Sequence, residues 1–409
     1  MTEVLSVPRE QIALLGSSLA HAISRARTIG KANGDAIESG WPHCFTYQFF
    51  AMIWDKPDCR LPLIAINTFW EYHSILRFMF RTLISLSVPM RLFLVLLFLP
   101  LFLAPSSSLL AWAESGHAII MMLARERLTP QEQEKLQKLI EQHPNYVKDF
   151  TPPVDFPAGI ETEKWKIGRI GYWPDIARAY DEYNRPTWHY QLGAALTMGD
   201  VSGIDIPKDP GPLPEDATMS TQELYVLQAL ELCTKQLADK SIPDADRAIA
   251  LCWVAHLIAD LHLPCHSGSL YAESVFPEPD GDRGANRIVI GELRLHGLWD
   301  QLLGNLYERG DVNRRVFEIK STPELTNRFE VAIQVSDPHV WVEESRAIAV
   351  QFLYVGEVQQ AVRAAIESKV TKLPPVTISE AYGKQAGRIA QVRAVDAAAR
   401  LAKVLSDSL

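Results

Sequence analysis

Two pairs of histidine and aspartate in the second half of the sequence have a spacing that suits joint ligation of a metal ion. His256 precedes Asp260 by four residues, and His296 precedes Asp300 by the same interval. Residues i and i+4 of an α-helix lie on one face, so the imidazole and the carboxylate of each pair can reach one ion. A single such pair is often a helical ion pair, but two are much less expected by chance. The spacing therefore predicts a metal site.

Further imidazoles and carboxylates accompany these pairs, at His117, Asp175, His189 and His266. Pro264 is expected to end the helix that carries Asp260, which lets His266 turn back toward the same region. The whole set has five imidazoles, three carboxylates and no thiolate. Such a set suits catalytic zinc, because these ligands leave coordination positions open for water and substrate. Any one of these histidines alone would be interpreted as a packed core or surface residue.

His262 is not predicted to be a ligand, although it follows Asp260 closely in the sequence. Two residues of helix rotate a side chain by about 200 degrees, so the two side chains should point in different directions. His262 is therefore expected to lie behind the ligands or in the core.

Composition limits the kinds of protein that this chain can be. The sequence has 409 residues, 47% of them hydrophobic and 22% charged, which is typical of a folded globular chain. Its formal net charge of -9 argues against binding of nucleic acid through a broad basic surface. A nucleic-acid enzyme of this charge would need metal ions at its site. The five cysteines show no CxxC spacing, so neither a cysteine zinc site nor a disulfide framework is indicated.

An apolar segment divides the chain near its first quarter. Residues 92–103 are apolar throughout and follow Arg91, which predicts a signal peptide over residues 90–111 with cleavage after Ala111. Pro100 and the short run count against a membrane-spanning helix, which needs about 20 apolar residues. Residues 1–89 are interpreted as an upstream extension outside the translated protein, with Met90 as the start. The alternative is a small segment joined to an uncleaved membrane anchor. Cleavage would give a secreted or periplasmic protein without membrane attachment.

The elements that must position the ligands are predicted to be helices, so the fold class is all-α. The chain after residue 112 is rich in Ala, Leu, Glu, Gln and Arg and has few alternating apolar and polar runs. No sheet is expected, and segments rich in Pro and Gly at 201–217 and 267–287 are predicted to be long loops. The predicted helices cover residues 115–127, 130–142, 220–238, 244–263, 291–306, 341–368 and 378–405.

The order of the candidate ligands resembles a known family. The pattern reads Trp112-x4-His117, Trp-Pro-Asp175, Trp-His189, His256-x3-Asp260-x5-His266 and His296-x3-Asp300. It is similar to that of the secreted single-strand-specific nucleases of the S1/P1 type, which use three zinc ions. The resemblance extends over nearly all of residues 112–409. It implies one mainly helical catalytic domain with the fold shared by zinc-dependent phospholipase C and these nucleases.

The resemblance also implies three groups of metal ligands. The first zinc ion would be held by Asp175, His189, His256 and Asp260. The second would share Asp260 and would be chelated by His117 and by the free amine and carbonyl of Trp112. The third would be held by His266, His296 and Asp300.

Two further residues are implied to face the scissile phosphate or the nucleotide, Arg178 and Asn286, with Tyr190 as a stacking platform for a base. Together with Asp175 and Asp260, they form the expected catalytic set. The implied reaction is endonucleolytic hydrolysis of single-stranded DNA and RNA to 5′-phosphate products, with 3′-nucleotidase activity as a further expectation. One departure concerns Leu192, which stands where the family has an aspartate that grips the base. The base preference is therefore not transferred.

Two alternatives stay open at this stage. A zinc phospholipase C uses a similar ligand set, but its first histidine lies farther from the N-terminal tryptophan and its final pair ends in Glu, where this chain has Asp300. The second alternative is a membrane-anchored zinc-binding protein without catalysis, which the uncleaved anchor would favour. Apart from single-stranded nucleic acid as substrate, no stable protein partner is expected.

Overall fold

The computed structural model describes residues 112–409, so the predicted extension and signal peptide lie outside the described residues. The described part is mainly helical, which confirms the all-α fold class. Its α-helices are α1 (Glu114–Arg125), α2 (Pro130–Ile140), α3 (Tyr146–Asp149), α4 (Ile160–Ala177), α5 (Val226–Ala238), α6 (Asp244–Leu261), α7 (Leu295–Asp300), α8 (Arg309–Ser321), α9 (Pro323–Ala332), α10 (Pro338–Ile348), α11 (Glu357–Glu367) and α12 (Glu380–Ser408). A 3₁₀ turn covers Pro264–His266, and a π-helical turn covers Ala349–Leu353.

Helix α6 is the central element of the domain. It packs against α1, α4, α5 and α12, and every residue from Ala250 to Leu261 is buried. A helix that is apolar on all sides is stable only when neighbours cover all of its faces. The polar exceptions in its last two turns are His256 and Asp260, both fully buried. Because the rest of the helix is anchored in the core, these two side chains are held rigidly.

The ends of several helices follow from local sequence signals. Helix α2 begins with a capping box, in which the Thr129 hydroxyl accepts from Glu132 N–H and the Glu132 carboxylate accepts from Thr129 N–H, with Pro130 in the first turn. Helix α6 ends at Leu261, and Pro264 begins the 3₁₀ turn that carries His266. The predicted break after Asp260 is therefore confirmed.

Helix α4 was not predicted, because Gly168, Gly171 and Pro174 lower the helical propensity of its sequence. Tertiary packing explains the glycines. A Cβ at Gly168 would lie 2.7 Å from the Cβ of Ala118, and one at Gly171 would lie 3.1 Å from the carbonyl oxygen of His117. The two glycines let α1 pack closely against α4, and this contact brings His117 near the ligands at the end of α4.

Other predicted helices are shorter or interrupted. The helix predicted over 341–368 is divided by the π-helical turn and by Gly356, which has a φ of +58°. The helix predicted over 291–306 is reduced to α7, which is preceded by a short hairpin. Helices α8 and α9 were missed, since their exposed faces are strongly charged and their apolar positions are few.

The expectation of no sheet was wrong for two short strand pairs within the described residues. Strand β1 (Ala194–Met198) pairs in parallel with β2 (Ser269–Ala272), with Leu196 opposite Leu270. Strands β3 (Val289–Ile290) and β4 (Leu293–Arg294) form an antiparallel hairpin. Strand β2 lies in the segment 267–287 that was predicted as a loop, and the parallel pair places the residues that follow His189 beside those that follow His266.

Among residues 112–409, none of the helices has the length and hydropathy needed to cross a membrane.

Candidate metal centre

A first group of ligand atoms is formed by Asp175 at the end of α4, His189 in the following loop and His256 in α6. Their atoms lie within 4.8 Å of one another, and all three side chains are buried. His256 Nδ1 donates to the carbonyl of Gly171 at 2.8 Å, so Nδ1 carries the hydrogen and Nε2 keeps its lone pair. This Nε2 faces His189 Nδ1 at 2.8 Å. The arrangement directs the imidazoles toward a shared point.

A second group joins His117 of α1 to His256 and Asp260 of α6. His117 Nε2 lies 3.6 Å from an oxygen of Asp260, and both side chains are fully buried. The rings of His117 and His256 stack with their centroids 4.1 Å apart. Trp112 lies beside this group, fully buried, and its indole N–H donates to the carbonyl of Ala259 at 3.1 Å. The structure therefore brings four of the predicted ligand residues to one end of α6.

A third group consists of His266 from the 3₁₀ turn and His296 and Asp300 from α7. The two imidazole Nε2 atoms face each other at 3.1 Å. Each Nδ1 lies against a backbone carbonyl, that of His189 for His266 and that of Gly284 for His296, so each Nε2 carries the lone pair. Two lone pairs directed at one point repel each other unless a cation lies between them.

The three groups adjoin one another. His256 belongs to the first two, and His266 Nδ1 lies 3.8 Å from Asp260, which links the second group to the third. Burial raises the pKa of Asp260 to about 6, although the proximity of His256 partly opposes that shift. Burial also holds the pKa of His117 and His189 well below the usual range, so both imidazoles are neutral. Neutral imidazole is the form that binds metals.

Metal ions fit this set of residues. Among the described residues, several buried side-chain atoms of the centre have no hydrogen-bond partner: His117 Nδ1 and Nε2, Asp175 Oδ2, His189 Nε2, Asp260 Oδ1 and Asp300 Oδ1. A buried carboxylate oxygen without a partner is costly, and so many in one place require an explanation. Cations would supply the missing partners of the carboxylate oxygens and of one nitrogen in each imidazole, whose other nitrogen carries the hydrogen, and the donor set of imidazole and carboxylate suits zinc.

The centre opens on a cavity of about 440 Å³. Arg178 contributes a guanidinium to its wall and donates to Asp175 at 2.9 Å, with about a fifth of its side chain exposed. Tyr190, which directly follows His189, also lines the cavity and is 38% exposed. Its ring meets that of Tyr225 edge to face, with 5.7 Å between the ring centroids. A charged group and an exposed aromatic ring thus face the same space as the metal ligands.

Asn286 lines the cavity, and its side-chain amide also approaches the candidate ligand His296. Its side-chain amide donates to the carbonyl of Arg283 at 2.9 Å and lies 2.8 Å from His296 Nδ1. Leu192 lines the same cavity, and its carbonyl accepts from Arg346.

The cavity wall also contains residues that were not predicted from the sequence, among them Arg283, Gln191, Tyr225 and Tyr271. Arg283 had a signal, since it is a basic residue three positions before Asn286, between Gly281 and Gly284.

His262 is absent from the three ligand groups of the described residues. It is fully buried, its Nδ1 donates to the carbonyl of Ile258 at 2.6 Å, and its Nε2 accepts from Arg400 of α12 at 2.7 Å. Arg400 in turn pairs with Glu344 of α10. His262 therefore links α6 to the C-terminal helix, in line with the expectation of a core position.

Three adjoining groups of histidine and aspartate at the base of a cavity, inside a mainly helical domain, define a candidate multinuclear metalloprotein. A family model described as S1/P1 nuclease matches residues 112–409. The chain belongs to the S1/P1 nuclease family, which confirms the resemblance found in the sequence. Membership implies a metal-dependent nuclease that acts on nucleic acids. A comparison with curated proteins gives no match.

Proposed function

We propose that the protein is a zinc-dependent endonuclease that hydrolyses phosphodiester bonds of single-stranded DNA and RNA to 5′-phosphate products, with 3′-nucleotidase activity as well. The observation that carries this proposal is the contiguous set of three ligand groups, with unpartnered imidazole and carboxylate atoms, at the base of a cavity. It is supported by membership of the S1/P1 nuclease family.

Each ligand group is proposed to hold one zinc ion. Asp175, His189 and His256 would hold the first, with Asp260 shared between the first and the second. His117 and the backbone of Trp112 would complete the second, and His266, His296 and Asp300 would hold the third. When bound, zinc ions supply Lewis acidity that activates water near neutral pH and offsets charge on a phosphate.

The side chains around the ligands bind and orient the substrate. Arg178, held by Asp175, presents its guanidinium to the cavity, where it can donate hydrogen bonds to phosphate oxygens and offset their charge. Asn286 lines the cavity, where its side chain is placed to contact the nucleotide. Since the chain has a net charge of -9, this local positive charge takes the place of a broad basic surface.

Preference for single strands is proposed to come from Tyr190. Its ring is partly exposed at the cavity, and Tyr225 supports it from one side. A base can stack on such a ring only if its face is free, and the faces of bases in a duplex are covered by their neighbours.

The proposal extends to the N-terminus, where removal of residues 90–111 would free the amine of Trp112 and send the protein to the periplasm or the exterior.

Two measurements on the purified mature protein test this function. Mass-spectrometric metal analysis should give about three zinc ions per chain, because the ligands divide into three groups. Incubation with an oligonucleotide and with its annealed duplex should show faster cleavage of the single strand and 5′-phosphate ends. One ion per chain, or equal rates on both substrates, would contradict the proposal. Hydrolysis of phosphatidylcholine without cleavage of the oligonucleotide would instead identify a phospholipase C.

A further inference from the structure

The loop of residues 281–286 has an unusual backbone. Gly281, Arg283, Gly284 and Ala285 all have positive φ, between +54° and +68°. For Arg283 and Ala285, which have a Cβ, this left-handed conformation costs about 1 kcal/mol each or more. Such strain persists only where surrounding contacts determine the conformation. Asp282 is the one residue between Gly281 and Ala285 without a positive φ.

Asp282 supplies those contacts. Its side chain is fully buried, and one carboxylate oxygen accepts from Leu270 N–H at 2.8 Å and from the Tyr354 hydroxyl at 3.2 Å. The other oxygen accepts from Ala285 N–H at 2.9 Å. The backbone N–H of Asp282 donates to the Leu270 carbonyl, and its carbonyl accepts from Arg287 N–H. The carboxylate thus ties the loop to β2 and to the segment that follows the π-helical turn.

The same loop contacts two ligands of the third group. The Gly284 carbonyl accepts from His296 Nδ1 at 2.5 Å, which directs His296 Nε2 toward the ligand point. The loop also lies directly on the backbone before His266, since a Cβ at Gly284 would be only 2.1 Å from the carbonyl oxygen of Cys265. A shift of the loop would therefore change the orientation of His296 and release the backbone next to His266.

Burial of a carboxylate that faces only neutral donors is costly, and burial raises the pKa of Asp282 to about 7 against the effect of its hydrogen bonds. An apolar residue of similar size would avoid this cost. It could not accept the hydrogen bonds that hold the loop, however, so the carboxylate is needed to position the loop.

We infer that Asp282 is a positioning residue for the third metal site: it holds the 281–286 loop in the conformation that directs His296 Nε2 at His266 Nε2. Asp282 is not a ligand, and it acts through Gly284 and the loop backbone. This inference rests on the proposed function in one respect, namely that the third group binds a metal ion.

The test compares zinc affinities of wild-type protein, Asp282→Asn and the control Glu278→Gln. In Asp282→Asn an amide nitrogen takes the place of an oxygen that accepts from a backbone N–H, so a contact of the loop is lost. Glu278→Gln makes the same change at an exposed side chain of the preceding segment. Each protein is dialysed against a graded series of chelator concentrations, and zinc per chain is measured by mass spectrometry, with thermal unfolding measured in parallel.

We expect Asp282→Asn to lose one zinc ion at a chelator concentration about 10- to 100-fold lower than wild type does, while the other two ions are retained as in wild type. Glu278→Gln should behave as wild type. If Asp282→Asn does not fold, Tyr354→Phe is used instead, because it removes one hydrogen bond to the same carboxylate. It should weaken the binding of one zinc ion several-fold. Unchanged release of all three ions, or equal weakening of all three, would overturn the inference while leaving the proposed function standing. Fewer than three zinc ions in the wild-type protein would overturn both.

Discussion

The indole nitrogen of Trp112 donates a hydrogen bond to the carbonyl of Ala259, 3.1 Å away, in the last turn of α6. The next residue, Ala113, donates its backbone N–H to the carbonyl of Asp300 at 3.0 Å. The segment 112–113 is therefore fixed between the two helices that carry the paired ligands. Asp260 directly follows Ala259, so the Trp112 side chain is anchored next to the residue whose carboxylate is proposed to bridge two zinc ions. This geometry gives a reason to test the N-terminus.

Adding one alanine before Trp112 is expected to reduce zinc by one ion per chain and to lower nuclease activity at least 100-fold. The addition replaces a free amine by an amide nitrogen, which is a poor zinc ligand, and loss of one of several metals removes several kcal/mol of transition-state stabilisation. Metal analysis and cleavage of a single-stranded oligonucleotide measure the two effects. The control is a chain that begins at Trp112 and carries the extra alanine after Leu409. Three zinc ions and full activity in the extended chain would show that Trp112 is only a buried aromatic residue.

Asp260→Asn and His262→Ala should separate the metal centre from the core contact behind it. Asp260 adjoins His117, His189 and His256, so Asp260→Asn is expected to abolish activity. His262 contacts Arg400 instead, and His262→Ala should lower the free energy of unfolding by about 2–4 kcal/mol while activity per folded molecule falls less than about 10-fold. Urea unfolding and oligonucleotide cleavage provide the two measurements. Equal losses of activity would mean that His262 acts on the metal centre directly.

His143 is expected to make the fold sensitive to acid. Burial lowers its pKa from 6.5 to about 4, partly opposed by Asp149, and its Nδ1 accepts from Asn145 N–H. In the unfolded chain the imidazole takes up a proton near pH 6.5, whereas in the folded protein it stays neutral until about pH 4. The stability that it contributes is therefore complete above pH 6.5 and is lost as the pH falls toward 4. The loss amounts to up to about 3 kcal/mol.

The variant His143→Asn keeps a side-chain acceptor for Asn145 N–H but cannot take up the proton. Its free energy of unfolding should therefore fall less than that of wild type between pH 6.5 and pH 4. Urea unfolding of both proteins at several pH values and equal zinc concentration measures this difference, because loss of zinc at low pH affects both alike. Parallel pH profiles would show that other groups cause the acid sensitivity.

The paired candidate ligands could be identified from the sequence more directly than the elements that surround them. A spacing of four residues is a direct property of helix geometry, so His256 and Asp260 could be paired without a structure. The approach of His117 to them depends on Gly168 and Gly171, which allow close packing of α1 on α4. Glycine lowers helix propensity, so the feature that builds this contact also concealed α4 from prediction.

The loop around Asp282 shows a second limit of sequence reasoning. Asn286 was expected to face the substrate, but its contact with His296 depends on the positive φ values of the preceding residues. Residues with a Cβ, such as Arg283 and Ala285, rarely adopt this conformation, and here the hydrogen bonds of a buried carboxylate help to hold it. Such contacts join segments that are distant in sequence, as with Tyr354 and Asp282, and residue spacing carries no information about them.

The preference for single strands can be tested at Tyr190. Tyr190→Ala removes the exposed ring at the cavity, and stacking of a base on an aromatic side chain contributes about 1–3 kcal/mol. We therefore expect KM for a single-stranded oligonucleotide to rise about 5- to 150-fold, with a smaller change in kcat, since the ring is proposed to bind the base and is not itself a candidate metal ligand. Tyr190→Phe keeps the ring and loses only the hydroxyl, so its KM should stay within a few-fold of wild type. Cleavage of the annealed duplex, which cannot offer a free base face, should be changed equally little by both variants. The ratio of single-strand to duplex cleavage should accordingly fall in Tyr190→Ala alone. If that ratio is unchanged in Tyr190→Ala while zinc content is normal, the discrimination between single and double strands comes from another part of the cavity wall.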